Sequence, residues 1–452
     1  MNSTEIRATW SLASLFALRM LGLFMILPVF AIYGQSLSGA TPLLIGLAIG
    51  AYGLSQALLQ VPFGFLSDRI GRKPVIYLGL TVFGVGSVIA ALSHSIEGVI
   101  IGRFLQGAGA IASAVMALLA DLTRDDQRSK AMAMVGASIG MSFTLALIVG
   151  PLVSGAFDLN GIFWLTAGFA LLGMLVTWRL VPNVEVHRCP PLTGPVIGQF
   201  RDVFRNPELM RLNLGVMMLH MVQTAGFVVM PVLLLEHTQL DKTEHWKVYL
   251  PVLFVSFVLM LPMMIFAEKR RQIKPVFLLA IGLVLASMLM LGHWHTSLLT
   301  LVAGLFVFFW GFNLLEAMLP SLVSKIADAG FKGTSMGVYS TCQFLGAFLG
   351  GAGGGYVAGH FGPGAVYGAA SALILVWLVL ASSMKPPRPL QDYTLKLDAL
   401  DKGGQDSLTQ RLLAVSGVEE VVIIADENTA YLKVDNRRLD IEQLQEVAAA
   451  AL

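Results

Sequence analysis

Charge is scarce in this chain: only 13% of its residues are Asp, Glu, Lys or Arg, while 56% are hydrophobic and the mean hydropathy is +0.74. Ordinary soluble domains carry about 25% charged residues, so most of this chain must lie in lipid. Cysteine is scarcer still. The two present, Cys189 in a polar stretch and Cys342 inside an apolar run, exclude a disulfide framework and a thiolate metal site, and no metal-ligand spacing exists. No hydrolase, nucleotide-binding or redox constellation appears, and the lack of a Walker loop argues against an ATP-driven pump and against an enzyme. The formal charge is only +2, with the basic residues spread over short loops, which argues against nucleic-acid binding.

What is abundant is apolar sequence in runs of the length that crosses a bilayer, about 20 residues. Such runs fall at 11–33, 41–66, 74–93, 97–120, 131–156, 161–182, 211–235, 247–267, 275–293, 297–323, 334–358 and 364–384, which predicts twelve membrane helices. The first is too long for the core of a signal peptide and lacks a small-residue cleavage site, so it reads as an uncleaved helix. Alternate loops hold nearly all the loop Lys and Arg: Arg69, Arg72 and Lys73; Arg124, Arg128 and Lys130; Arg188, Arg201 and Arg205; Lys269, Arg270, Arg271 and Lys274; Lys325 and Lys332. The opposite set holds only Lys242 and Lys247. That asymmetry predicts cytoplasmic amino and carboxyl termini.

Polar breaks divide the chain into a six-helix half at 1–183, a cytoplasmic central loop at 184–210, a second six-helix half at 211–384, a stiff Pro-rich linker at 385–390 and a soluble tail at 391–452. The halves read as a repeat offset by about 200 residues, because Asp68-Arg69 and Lys73-Pro74 are echoed by Glu268-Lys269 and Lys274-Pro275. Parallel six-helix repeats place a substrate path between them near the midplane. A channel filter is missing.

Between the second and third runs stands Gly64-Phe65-Leu66-Ser67-Asp68-Arg69-Ile70-Gly71-Arg72-Lys73. This spelling resembles the loop signature of the major facilitator superfamily of secondary transporters. Gly102-Arg103-Phe104-Leu105-Gln106-Gly107-Ala108-Gly109 resembles a motif of its proton-coupled members, and Gly150-Pro151-Leu152-Val153-Ser154-Gly155 is similar to the motif of its drug/proton antiporters, with Ser154 in place of a Gly. The likeness spans about 8–384 and implies an all-α membrane fold of twelve helices. It also implies alternating access driven by the proton gradient with no cofactor, and residence in a bacterial inner (cytoplasmic) membrane. A proton-coupled exporter of small amphipathic compounds is the leading function. A transport-fold sensor, or an importer of a sugar or organic anion, is the alternative.

Candidate residues follow. Gly64, Asp68, Arg69, Gly71, Arg72, Lys73 and Asp121 form a candidate conformational latch, in which Arg72 pairs with Asp68 or Asp121 and Asp68 faces the positive end of the eleventh helix. Gln106, Gly107, Gly109, Gly150, Pro151 and Gly155 form a helix-packing set. Charges inside the membrane are costly and mark pathways, so Arg103, Glu316 and His220 are candidates for proton coupling. For Arg103 the alternative is a packing role with backbone carbonyls as partners, for Glu316 a fixed partner of a basic group, and for His220 a packing role. Arg19, Met20, Gln56, Gln60, Gln223, Trp310, Asn313 and Gln343 are candidates for the substrate cavity. Arg19 suits organic anions better than lipophilic cations, and the first run has no acidic residue.

The tail reads as β-α-β-β-α: a strand at Tyr393 to Leu397, a helix opened by a capping box at Ser407 and ended by Gly417, a hairpin of 418–425 and 429–434, and a helix capped at Asp440. That order suggests a small ferredoxin-like α+β domain, resembling heavy-metal-associated domains. No Cys stands where those domains carry Cys-x-x-Cys, which excludes thiolate capture of copper. From residue 385 on there are 12 acidic and 8 basic residues. Docking on basic cytoplasmic loops and self-association through the sheet both stay open as partner modes.

Overall fold

In the computed structural model, described over residues 1–182, 196–327, 332–385, 391–396, 405–424, 429–435 and 438–449, the chain is mostly helical and ends in a small three-stranded unit. The Pro-rich linker at 386–390, most of the central loop and the tail segment 397–404 lie outside the described residues. Nine helices among the described residues are long and apolar enough to cross a membrane.

Local signals set where the helices start and stop. Helix α1 (Ser3–Phe24) opens with a reciprocal cap between Asn2 and Glu5. It breaks at Met25–Val29 and resumes for one turn as α2 (Phe30–Tyr33). Pro28 explains the break, since it has no N–H and its ring crowds the carbonyl four residues back. Helix α3 (Pro42–Ile70) starts on the Thr41 hydroxyl, which accepts from the Leu44 N–H, and stops at Gly71, whose φ of 102° is left-handed. Helix α4 (Arg72–Leu92) follows at once. The fourth apolar run is divided into α5 (Ile96–Ala108) and α6 (Ala112–Leu122), and α7 (Asp125–Arg179) is interrupted at Phe157 and Asp158.

After a short helix α8 (Val196–Arg205), which stands inside the stretch read as a polar loop, come α9 (Pro207–His237), α10 (Trp246–Lys269), α11 (Ile273–His293), α12 (Leu298–Ile326), α13 (Lys332–Phe361) and α14 (Pro363–Ser382). The repeat legible in the sequence has a structural counterpart. Lys73 Nζ donates to the carbonyl of Val181 at 2.7 Å, and Lys274 Nζ donates to that of Ser382 at 2.7 Å. The same anchor recurs in the two helix groups.

Helix α13 joins the groups. On one side Gly346 and Gly350 meet the backbone of Met217 and Met221 in α9, and on the other Gly351 and Gly355 meet α3 at Gly46 and Pro42. A Cβ at any of these four would overlap a carbonyl oxygen. Close packing of small residues is how helices associate where lipid gives no hydrophobic drive.

In the tail, β1 (Gln391–Lys396), β2 (Val418–Ile424) and β3 (Thr429–Val434) form an antiparallel sheet in the order β1-β3-β2, with α15 (Gln405–Leu413) and α16 (Ile441–Ala449) completing the β-α-β-β-α order. Asp440 caps α16 by accepting from Gln443 N–H at 3.0 Å. The Ser407 capping box is corrected: α15 starts at Gln405, so Ser407 sits inside the helix. Leu408, Leu412, Ala430, Leu432, Val434 and Leu444 build the tail's own core.

Candidate functional site

The loop between α3 and α4 is held by Arg72. Its guanidinium bonds Asp68, Asp121 Oδ2 at 3.2 Å and Ser67 Oγ at 2.8 Å, so both predicted acidic partners are engaged at once. Lys73 is taken up by the Val181 carbonyl, Arg69 stays exposed, and Gly64 lies against Ser113. The residues just before α13, 328–331, lie outside the described residues, and with them the helix end that Asp68 was expected to face. A second ion pair at this end of the molecule escaped the sequence reading: Arg124 Nε bonds Glu5 Oε1 at 2.9 Å, with Glu5 buried.

In the first helix group, Arg103 is buried at 1% exposure and its donors are taken: Nε by the carbonyl of Ala48 at 3.3 Å, Nη2 by that of Ile49 at 3.4 Å and Nη1 by Gln106 Oε1 at 2.9 Å. Gln106 passes the chain on to Ser87 Oγ at 2.8 Å. These are the partners of a packing Arg, tying α5 to α3 and α4. Arg19 differs. Its Nη2 donates to Gln56 Oε1 at 2.7 Å, and Gln56 donates to Gln60 Oε1 at 3.3 Å, but Nε and Nη1 meet no partner. The ring of Tyr52 lies between the two cations, 5.8 Å from Arg19 Cζ and 5.3 Å from Arg103 Cζ. Sequence reasoning passed over Tyr52. The available signal was an aromatic ring set among the small residues of α3, Gly50, Ala51 and Gly53.

The packing set does what its small residues allow. Gly107 meets the Tyr52 carbonyl, Gly109 that of Gly79, Gly150 that of Met25, and Gly155 the Thr243 side chain, while Pro151 lies within α7.

The second group brings Glu316 and His220 together, although 96 residues separate them in the chain. His220 Nε2 lies 3.7 Å from Glu316 Oε2, and the Gln343 amide donates to both, at 2.9 Å to His220 Nε2 and 3.3 Å to Glu316 Oε1. His220 Nδ1 is 3.1 Å from the Val216 carbonyl, which assigns the ring proton to Nδ1 and leaves Nε2 as an acceptor. Glu316 Oε2 has no hydrogen-bond partner, and neither does the nearby buried Tyr339 hydroxyl. Gln343, predicted as a cavity residue, is thus the link of the proton candidates. Arg103 belongs to the other helix group.

The remaining cavity candidates are dispersed. Gln223 lines a narrow apolar pocket with Phe227, Met230, Phe308 and Phe309. Asn313 donates to Ser256 Oγ at 3.1 Å, Trp310 stacks on Phe306, and Met20 is buried in the core of the first group.

The fit between the groups is uneven. At the Pro42 end of α3, Gly46, Gly50 and Gly53 lie against Gly351, Phe348 and Phe344 of α13. Toward the opposite end, where α3 carries Asp68, a Cβ added to Gly333 or Gly337 of α13, or to Gly136 or Gly140 of α7, would meet nothing within 4 Å among the described residues. Backbone meets backbone at the Pro42 end of α3, the closed end of the wedge between the groups.

The Major Facilitator Superfamily profile matches residues 12–351. The chain belongs to that superfamily. Its members are transporters and not enzymes. Residues 401–446 match the YajR YAM domain. The chain is 47% identical over 446 residues to the inner membrane transport protein YajR of Escherichia coli (strain K12), covering 98% of each. It is 25% identical to the multidrug resistance protein MdtH of Edwardsiella ictaluri (strain 93-146), over 75% of this chain and 83% of that protein. Among solved structures, a bacterial homologue of the human lysosomal transporter Spinster, inward-facing and occupied, superposes with a TM-score of 0.69 at 14% identity, over 85% of this chain and 98% of that one. The human organic anion transporter MFSD10 (TETRAN) does so with a TM-score of 0.63 at 20% identity, over 84% and 100%. These last two show the shared fold.

Proposed function

We propose that this protein is a proton-coupled secondary transporter of small amphipathic compounds, working as an exporter by alternating access between two parallel six-helix halves with twelve crossings. The names of the two relatives, an inner membrane transport protein and a multidrug resistance protein, support export across a bacterial inner membrane. The Lys and Arg bias of the loops supports cytoplasmic amino and carboxyl termini. On that orientation the close contact of α3 with α13 lies away from the cytoplasm, which supports an inward-facing conformation. The Arg72, Asp68 and Asp121 cluster, already formed here, would act as the latch by meeting the second group when the cytoplasmic end closes in the outward-facing state.

The observation that carries the proton reading is the His220–Gln343–Glu316 cluster. A neutral imidazole whose Nε2 accepts from the Gln343 amide, beside a carboxylate oxygen without a partner, makes a two-site acceptor for one proton. The proton can rest on Glu316 Oε2 or on His220 Nε2, and in either place it puts a donor between two acceptors 3.7 Å apart. Gln343 rides on α13, the helix that also packs on α3, so rocking of the groups moves the amide that holds the pair. Proton occupancy is thereby linked to conformation. The tail, read as ferredoxin-like, is a regulatory module. Lys433 Nζ donates to the carbonyl of Lys325 at 3.1 Å, and Arg271 Nη2 lies 3.6 Å from Asp435 Oδ1, which supports docking on the ends of α10 and α12.

The test is substrate-driven proton movement in liposomes loaded with a pH-sensitive dye. Glu316→Gln in folded protein should abolish it while leaving substrate exchange. Unaltered coupling in that variant removes Glu316 from the mechanism, and silence across lipophilic cations, organic anions and sugars favours the sensor alternative.

A further inference from the structure

Arg19 is the one buried cation of the first helix group whose charge the fold leaves unanswered. Both Arg19 and Arg103 are at least 98% buried. Arg103 is satisfied by two carbonyls and an amide oxygen, whereas Arg19 has a single acceptor, Gln56 Oε1, and two nitrogens with none. Among the described residues no carboxylate pairs with Arg19. An ionised guanidinium removed from water and left without a counter-charge is strongly disfavoured; the rings of Tyr52 and Phe83, 5.8 and 5.9 Å from Cζ, answer it only in part, which favours an anionic group from outside the fold. A second unsatisfied donor stands beside it, the buried Tyr52 hydroxyl. Arg19 also precedes the break that ends α1 at Phe24, and interrupted membrane helices near the interface of two repeats are where transporters bind their cargo.

We infer that Arg19 and Tyr52 form the anchor for the carboxylate or sulfonate of an organic anion, and that the transported compounds are amphipathic monoanions. This deepens the transport reading and rests on it. Arg19 Nε and Nη1 both lack an acceptor, and each can give a carboxylate or sulfonate oxygen a charge-assisted hydrogen bond. A run of aromatic contacts links the helix of the anchor to the second group. Phe24 of α1 meets Phe143 of α7 edge-on at 5.1 Å, and Phe143 lies 6.1 Å from Phe309 of α12, which lines the apolar pocket of the second group. Tyr52 in turn contacts Phe344 of α13 at 6.3 Å. One compound spanning anchor and pocket would touch both halves, as alternating access requires. A lipophilic cation would meet the open face of Arg19 as a like charge.

The test uses four probes that share a naphthalene ring and differ in charge: 2-naphthoate, 2-naphthalenesulfonate, methyl 2-naphthoate and 2-naphthylmethylammonium. Binding to the full chain in nanodiscs is measured by titration calorimetry. The expected result is at least tenfold tighter binding of the two anions than of the ester or the ammonium. Arg19→Gln should remove that preference, Arg19→Lys should keep part of it, and Tyr52→Phe should weaken the anions several-fold with the ester unchanged. If Arg19→Gln fails to fold, the Lys and Phe variants carry the comparison. Equal binding of charged and neutral probes, no binding of any, or a preference that survives Arg19→Gln overturns the inference. So does full competition by chloride at equal concentration, which would make the site one for an inorganic ion. Anion binding without proton movement in dye-loaded liposomes would defeat proton coupling and leave the anchor. Proton movement driven by the ammonium and not the anions would defeat the anchor and leave coupling.

Discussion

Gly50→Ala should shift the protein away from the conformation seen here. A Cβ at residue 50 would lie 2.8 Å from the Phe348 carbonyl oxygen and 3.0 Å from Phe348 Cα, both backbone atoms of α13 that no rotamer change can move aside. Restoring ordinary contact at 3.4 Å requires α3 and α13 to separate by about 0.6 Å at the closed end of the wedge. Overpacking of this kind costs about 1–3 kcal/mol, which corresponds to roughly a 5- to 150-fold change in the ratio of two conformations. Ala also favours a helix over Gly by about 0.5–1 kcal/mol, but that gain is the same in both conformations and cancels from the ratio. Gly337→Ala is the control, because its Cβ would meet nothing within 4 Å. Spin labels at Leu43 and Phe361 report one end and labels at Ile70 and Arg270 the other, in a chain with Cys189 and Cys342 replaced by Ser. Gly50→Ala should lengthen the first distance and shorten the second, and Gly337→Ala should leave both alone. Identical distance distributions in the two folded variants would refute the claim that close backbone contact at this end holds the conformation.

Gly71→Ala, at a φ of 102°, should cost about 1–3 kcal/mol, read as a lower Tm; an unchanged Tm would mean that the α3–α4 turn relaxes freely. His245, which precedes α10, is fully buried with neither ring nitrogen bonded, and burial, partly offset by Asp241, pushes its pKa down to about 4 from 6.5. Its neutral form therefore contributes stability that is complete above pH 6.5 and is lost as pH falls toward 4, about 2 kcal/mol of it by pH 5. His245→Phe should flatten the Tm profile between pH 7 and 5, and a parallel profile would contradict the assignment. Lys433 is 2% exposed, with its ammonium on the Lys325 carbonyl and 3.4 Å from Glu420. Lys433→Met should loosen the tail and speed tryptic cleavage after Lys396 and Lys402, while unchanged cleavage would argue against docking.

Hydropathy made the spans legible because it is a sum over many residues, and for the same reason it ran straight through the breaks. Met25 to Val29 and Gly109 to Ile111 are as apolar as the helices around them, so only the missing N–H of Pro28 and the small Gly109 marked those interruptions. Both interruptions stand a few residues beyond a buried guanidinium, Arg19 in one helix and Arg103 in the other. Residue type alone nominated both cations, and contacts made far along the chain separated them. Arg103 has its acceptors because α3 brings the Ala48 and Ile49 carbonyls to it, and Arg19 has a single one because α3 brings only Gln56.

The same division holds in the second half. Glu316 and His220 were each ambiguous in the sequence, a carboxyl that could be a fixed partner and an imidazole that could be packing. Their pairing through Gln343 removes part of that ambiguity, since a packing His does not need a carboxylate and an amide on its free nitrogen. The two halves repeat an architecture, as Lys73 and Lys274 show by holding equivalent carbonyls, yet they have diverged in charge. One interior holds cations without carboxylates, and the other holds a carboxylate beside an imidazole. On the transport reading, a site divided in this way lets an anion and a proton occupy separate halves, so that the conformational change of α13 against α3 is the only step at which each can sense the other.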